Sequence, residues 1–243
     1  LTENAGAPVV EKAEVEEIHH EPTKEVAMVA VAAGKGIEGS FKDLGVEEII
    51  SGGQTMNPSI VNIVNAIKKT DAKNVFVFPN NSNIIMAALQ AKDVLHEEIN
   101  VIVVHTKTIP QGIAAVSQFS PDLSEEENLV NMKEVVKHIR TCEITYAIKD
   151  TVMNGVEIKK DNFVAIADKK VLCCEAKADK ALFIALKKMI KDDNYLATIF
   201  VGRDVEEKTL NKLARELPEL YPSIEFDIRR GDQPVYSYLI GIE

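Results

Sequence analysis

Three segments of the 243-residue sequence concentrate neutral hydrogen-bonding groups: Ser51 to Asn57, Pro79 to Asn83, and Thr106 to Gly112. Amides and hydroxyls supply donors and acceptors without charge, and glycine lets a ligand approach the backbone closely. The candidate ligand-binding residues are therefore Gly52, Gly53, Gln54, Thr55 and Asn57, then Asn80, Asn81 and Asn83, then Thr106, Lys107 and Gln111. The segments contain no Asp, Glu or Cys, and Lys107 with the neighbouring His105 makes up their ionisable inventory. Phosphoryl transfer needs carboxylates to hold magnesium, and hydrolysis needs a nucleophile beside its base. Neither set is present, so no catalytic residue is assigned and the chemistry indicated is binding. A Walker A loop and G-x-G-x-x-G are also missing, and Gly34-Lys35-Gly36 is too short to replace them. The same residue types are ordinary turn formers, so each segment alone reads more readily as a capped turn, and only the three together bring binding level with that reading.

No metal site is expected. His19-His20 is an adjacent pair without partners at ligand spacing. Cys142, Cys173 and Cys174 include no C-x-x-C pair, and adjacent cysteines do not form an ordinary bridge. They read as small core residues in a reducing cytoplasm.

The elements that must position the three segments follow an α/β rhythm. Val26 to Val31, Val46 to Ile50, Asn74 to Phe78 and Ile99 to Val104 read as buried strands. Helical spacing recurs between them, through Phe41 and Leu44, through Ile60, Val64 and Ile67, and through Ile84, Ala88 and Leu89. Asn57 is placed to cap the second of these, with Pro58 in its first turn. Strands alternating with helices predict a mostly parallel, doubly wound sheet whose strand-end loops gather at one edge. Ser124 with Glu127 forms a capping box that opens a helix through Ile139.

The second half mixes strands and helices differently. Asn154-Gly155 between Thr151-Val152-Met153 and Val156-Glu157-Ile158 is a type I′ hairpin signal. Phe163 to Ala167 and Val171 to Cys174 pair across Asp168 to Lys170, and the later helices run over Asp179 to Ile190 and Val205 to Leu217. Strands fall at Leu196 to Val201, Ile224 to Ile228 and Val235 to Ile240, with Tyr236 and Tyr238 expected on one sheet face. The organisation is an acidic flexible linker over 1–24, a parallel α/β lobe over 25–140, and a mixed α/β lobe with antiparallel strands over 141–243.

Net charge is −10, from 28 basic and 38 acidic residues. This argues against nucleic acid, which needs a clustered basic face, and against anionic lipid headgroups. No apolar run approaches the roughly 18 residues of a membrane span.

Six motifs carry a family resemblance: SGGQTMNPS from Ser51, FPNNSNI from Phe78, TKTIPQGIAA from Thr106, TYAIKD from Thr145, NGVEI from Asn154 and GDQPVYSYLIGIE from Gly231. Together they resemble the carboxy-terminal region of the bacterial fatty acid kinase A family, earlier labelled dihydroxyacetone-kinase-related or Dak phosphatase proteins. The resemblance runs from about Glu25 to Glu243. It implies a two-lobed fold like that of DegV proteins. It also implies a longer parent protein, with an amino-terminal kinase domain using ATP and magnesium and a middle domain with Cys and His functional residues. Such a kinase phosphorylates a fatty acid held by a separate DegV-like protein, and the carboxy-terminal domain docks that protein through an acidic groove. No cofactor is expected in this chain. Candidate docking residues are Asp122, Glu125, Glu126 and Glu127, then Asp204, Glu206 and Glu207; acids at a helix start also simply suit its dipole. The alternatives are a small-molecule or lipid-binding domain, or a phosphatase-like activity. Three positions depart from the family: Asn154 stands for Asp, Asp161-Asn162 for Gly-Asp, and Asp232 for the second glycine of Gly-Gly-Gln-Pro.

Overall fold

The structure is a computed structural model that describes residues 21–53 and 56–243. The proposed linker as far as position 20, with His19-His20, lies outside the described residues, as do Gln54 and Thr55. The first sheet has strands β1 (Lys24–Ala32), β2 (Glu48–Ser51), β3 (Ala72–Phe78) and β4 (Asn100–Val103). All pair in parallel, in the order β2-β1-β3-β4. The intervening helices are α1 (Lys35–Asp43), α2 (Ile60–Lys69), α3 (Ser82–Leu95), α4 (Ile109–Ser117) and α5 (Glu125–His138).

The continuous apolar run of β1 is explained by burial on both faces. Ala27, Val29 and Val31 pack with Ile63 and Ile67 of α2 and Ile84 and Ala88 of α3. Met28, Ala30 and Ala32 pack on the other face, with Ile37 and Phe41 of α1, Ala115 of α4 and Met132 of α5. The sheet is doubly wound, as its alternation predicted.

The second sheet contains β5 (Arg140–Tyr146), β8 (Phe163–Ala167), β9 (Lys170–Glu175), β10 (Leu196–Val201), β11 (Glu225–Arg230) and β12 (Tyr236–Ile242). Its order is β11-β10-β12-β5-β8-β9, antiparallel apart from the parallel pair β10 and β11. β6 (Thr151–Met153) and β7 (Val156–Ile158) form a separate hairpin. Helices α6 (Ala178–Met189) and α7 (Glu207–Leu220) cover one face of the large sheet, where Leu182, Leu186, Leu213 and Leu217 meet Ile144, Ile199 and Ile240. Phe200 and Leu239 point the other way, into the cluster that holds Ile37, Phe41 and Ala115. The two sheets thus share one middle layer of helices, and this layer unites the lobes.

The joint is tight at two places. The carbonyl of Gly231 accepts from Gly36 N at 3.1 Å and Ile37 N at 3.2 Å. A Cβ on Gly36 would lie 1.7 Å from Arg230 O. Further along the same layer, a Cβ on Gly241 would lie 2.6 Å from Pro110 Cβ.

Two local expectations are corrected. The cap of α2 is Ser59, not Asn57: Ser59 Oγ accepts from Asn62 N at 3.1 Å, while Asn62 Oδ1 accepts from Ser59 N at 3.0 Å. This reciprocal pair satisfies more of the helix start than Asn57 could, and Pro58 stays ahead of the helix. Tyr236 and Tyr238 do not share a face. A register shift between them on β12 breaks the alternation, so Tyr238 joins the α6–α7 core and Tyr236 packs with Leu239 against the middle layer.

The three family departures share one physical reason. Asn154, Asp161 and Asp232 have φ of 51°, 64° and 55°, the left-handed region that Gly occupies freely and Asn or Asp tolerate. With Gly155 at φ 77°, Asn154 completes the expected hairpin turn.

Helix α1 contains two glycines with opposite surroundings, which isolates the joint experimentally. Gly36→Ala should cost about 2 kcal/mol or more, because the methyl meets backbone and not a yielding side chain. Gly39→Ala, with nothing within 4 Å of its Cβ, should gain about 0.5–1 kcal/mol of helix propensity. Urea denaturation of both variants gives the comparison; equal effects would show that the Gly36 contact does not hold the lobes together.

Candidate functional site

The carboxyl ends of β1, β2 and β3 face the carboxyl ends of β10 and β11 across a cavity of about 520 Å³. Gly52, Gly53, Asn80 and Asn81 line it from the first lobe, as the strand-end argument predicted for an open parallel sheet. A second cavity of about 400 Å³ lies alongside, lined by Asn81, Asn83, Lys107 and Gln111. The two meet at Asn81 and Glu143, which line both. Of the remaining ligand candidates, Asn57 lines neither and Thr106 is fully buried.

Much of the neutral hydrogen-bonding capacity is used by the fold itself. Asn80, at φ 56°, donates from Nδ2 to Val31 O at 2.9 Å, and its Oδ1 accepts from Thr106 Oγ1 at 2.8 Å. Thr106 Oγ1 in turn accepts from Asn80 N at 3.1 Å. These bonds tie the ends of β1, β3 and β4 together. Gly112 leaves room for them, since a Cβ there would lie 2.0 Å from Asn80 Oδ1. Asn81 Oδ1 caps α3 by accepting from Asn83 N at 2.8 Å, and Gln111 Oε1 accepts from Lys107 N at 2.8 Å.

The charged groups of the cleft come from places the loop composition did not single out. Lys35 and Glu38 lie on α1, Arg203 follows β10, Asp232 lies between β11 and β12, and Glu143 is on β5. Arg203 could have been found by applying the strand-end rule to Leu196 to Val201. Glu143 carried no signal, because an acid in an alternating strand reads as an outward-facing residue. The connection from β11 to β12 is strained: Val235, a β-branched residue, has φ 71°, and its carbonyl accepts from Thr145 Oγ1 at 2.9 Å.

Burial pushes the Glu143 carboxyl above its ordinary range, partly opposed by a hydrogen bond from Tyr236. Burial and the Glu143 charge together raise the Tyr236 hydroxyl. The Cys142 thiol is pushed up to about 12 by burial and by Cys173, and Cys173 is itself raised by burial. Neither thiol is poised as a nucleophile. Gln233 lines the cleft, and its Nε2 donates to Phe200 O at 2.9 Å; its buried Oε1 has no partner among the described residues. Among the described residues no three His, Cys, Asp or Glu side chains gather in a way that could hold a metal ion. No described helix is long and apolar enough to cross a membrane.

The acidic docking candidates divide by partner. Glu127 is occupied by the α5 cap, accepting from Ser124 N at 2.9 Å, and the Ser124 bonds lower its carboxyl from the ordinary range. Glu206 pairs with Lys208 at 2.5 Å and Glu207 with Arg230 at 2.8 Å. Asp122, Glu125, Glu126 and Asp204 have no ion-pair partner among the described residues.

Comparison with known proteins adds an independent line. A family model for the C-terminal region of fatty acid kinase A-like proteins matches residues 27–243. Proteins of Staphylococcus aureus strains MRSA252 and USA300 are each 37% identical over 221 residues, covering 91% of this chain and 40% of theirs. The chain therefore spans about two fifths of the length of these curated relatives. Among solved structures, a DegV family protein from Thermus thermophilus, described for its fatty acid binding, matches with TM-score 0.63 at 10% identity. It is covered over 99% of its length and 90% of this chain. The fatty acid kinase B3 protein of Streptococcus pneumoniae, loaded with linoleic acid, matches with TM-score 0.61 at 12% identity and the same two coverages. The dihydroxyacetone kinase of C. freundii matches with TM-score 0.55 at 10% identity, over 92% of this chain and 48% of that one. At these identities the structural likeness shows a shared fold.

The raised Glu143 carboxyl makes a signed prediction. Between the ordinary carboxylate value and the raised folded value, the native state holds a proton that the unfolded chain has lost. Stability contributed at this site is therefore complete at acid pH and falls as pH rises through that window. Glu143→Gln keeps an acceptor for Tyr236 but cannot ionise. Stability of the wild type relative to this variant, followed by denaturation across pH, should decline through the window; a difference independent of pH would remove the buried-carboxyl argument.

Proposed function

Because the chain belongs to the family of fatty acid kinase A-like carboxy-terminal domains, we propose that it is a docking domain and not the catalytic part of such a kinase. In this reading it binds a DegV-like fatty-acid-binding protein in the cytoplasm. A separate kinase domain, using ATP and magnesium, then phosphorylates the acyl carboxylate. The observation that carries the reading is the family match over residues 27–243. No His or Cys is among the lining residues of the cleft beside Ser51. The phosphatase-like alternative draws no support from that inventory.

The docking surface we propose is the start of α5. Asp122, Glu125 and Glu126 are exposed or half-exposed there and free of ion-pair partners among the described residues. Within a chain of net charge −10 they would steer a partner with a basic surface. The test is calorimetric titration of the cognate DegV-like protein into this chain across salt concentration. Reversing all three charges to Lys should weaken binding about tenfold at low salt and much less near 1 M, where the screening length is roughly 3 Å. Binding indifferent to salt would sink the electrostatic surface, and absence of binding would sink the docking role.

A second reading is favoured by the cleft itself. A cavity of about 520 Å³ between two lobes has the size and placement of a small-molecule site. The DegV fold neighbours are described as a fatty-acid-binding protein and as a protein loaded with linoleic acid, which supports a small-molecule or lipid ligand here also. Native mass spectrometry of the chain purified without denaturant should show an added ligand mass that Gly53→Trp, at the cavity lining, removes. A single apo mass in both would count against it.

A further inference from the structure

Charge is spread unevenly over the helices. Although 27% of the residues are charged, positions 49–67 and 74–91 contain no Asp, Glu, Lys, Arg or His. The strands in these runs are largely buried, where charge is not expected, but the runs also hold most of α2 and α3. Outward positions on the other outer helices carry charge in the ordinary way, as at Lys42 of α1, Glu126 of α5, Lys187 of α6 and Lys212 of α7. On α2 they are Val61, Asn62 and Asn65, and on α3 they are Asn83, Met86 and Gln90. Val61 is 64% exposed and Met86 63%.

The two helices make one surface. Both pack on the same face of the first sheet, α2 through Ile63 and Ile67 and α3 through Ile84 and Ala88. Lys68 pairs with Glu98 at 2.7 Å, from the end of α2 to a residue just past α3, so the helices lie side by side. Lys69 pairs with Glu48 at 2.9 Å, and the charges at the end of α2 are thus engaged within the chain.

An exposed surface without charge, bearing Val and Met, has the composition of an interface centre. Electrostatics then selects the occupant. A partner presenting charged side chains would lose their hydration with nothing here to pair them. Two copies of this chain, each of net charge −10, repel over most of their surfaces, but at this face they bring no like charges together. Side-chain amides both donate and accept, so they suit their own kind. Those of Asn65 and Gln90 have no partner among the described residues.

We propose that the outer face of α2 and α3 binds a second copy of this chain, in a twofold pairing that uses the same patch on both. Helix α5, with its acidic start, packs on the opposite face of the first sheet and stays clear of the pairing.

Sedimentation velocity between about 1 μM and 1 mM chain should show a 26.8 kDa monomer converting to a dimer as concentration rises. Added salt should leave the dimer unchanged or tighten it, because screening weakens the repulsion between two acidic chains. Val61→Lys and Met86→Lys each place a charge at an exposed helical position that the fold tolerates, and each should weaken dimerisation about tenfold or more. Reversing Asp122, Glu125 and Glu126 to Lys should not weaken it. A chain that stays monomeric over the whole range overturns the proposal. So does a dimer that survives both lysine substitutions, that dissolves as salt rises, or that the reversal at α5 disrupts.

Discussion

One carbonyl group, that of Gly231, determines how the two halves of this molecule meet. It accepts two hydrogen bonds from the first turn of α1, so a helix start of the first lobe is completed by the second. That arrangement requires backbone against backbone, which is why Gly36 stands too close to Arg230 O for any side chain, with a Cβ only 1.7 Å away. It also fixes where the connection between β11 and β12 lies. The cleft wall formed by Asp232 to Tyr236 follows directly from that contact, and is held further by Asp232 N donating to Val201 O, Arg203 N donating to Gln233 O and Thr145 Oγ1 donating to Val235 O.

The chemistry of the cleft follows from what the fold consumes. Asn80 and Thr106 bond each other, and Asn80 also bonds the end of β1, so groups that could have met a ligand hold the strand ends in place. Asn81 and Gln111 are likewise engaged with nearby backbone. The charged groups on the facing elements are Lys35 at the start of α1, an arginine after β10, and the Glu143 carboxyl that burial pushes above its ordinary range. Where the sequence is rich in polar residues, these side chains perform structural work.

The parts of this arrangement legible in the sequence are those governed by local periodicity. The buried run of β1, the Ser124–Glu127 capping box and the Asn154-Gly155 turn all depend on residues close along the chain, and all formed as expected. Asn57 misled because Ser59, two residues on, offers a reciprocal cap with Asn62 that a single side chain cannot match. Tyr236 and Tyr238 misled because a bulge is invisible to alternation: one extra residue reverses the face of everything beyond it. The site was half visible for a related reason. Strand-end reasoning located the first lobe's loops, but the opposing wall depends on which sheet strands join at long range, and Glu143 and Asp232 carry no local mark of that.

The shared middle layer also bears on how such a domain can act. Two lobes joined only by a linker could hinge apart at small cost. Here Phe200 and Leu239 of the second sheet are buried in the same cluster as Ile37, Phe41 and Met132. Opening the lobes would expose these side chains, at about 25 cal/mol for each Å² of apolar surface returned to water. A block of this kind offers partners a preformed surface, and binding to a preformed surface loses less to ordering than binding to a mobile one. Because α5 packs into that same layer through Met132, the acidic start of α5 and the walls of the cleft are held by one set of buried contacts. The fold therefore favours recognition by fixed shape and fixed charge over recognition by closure.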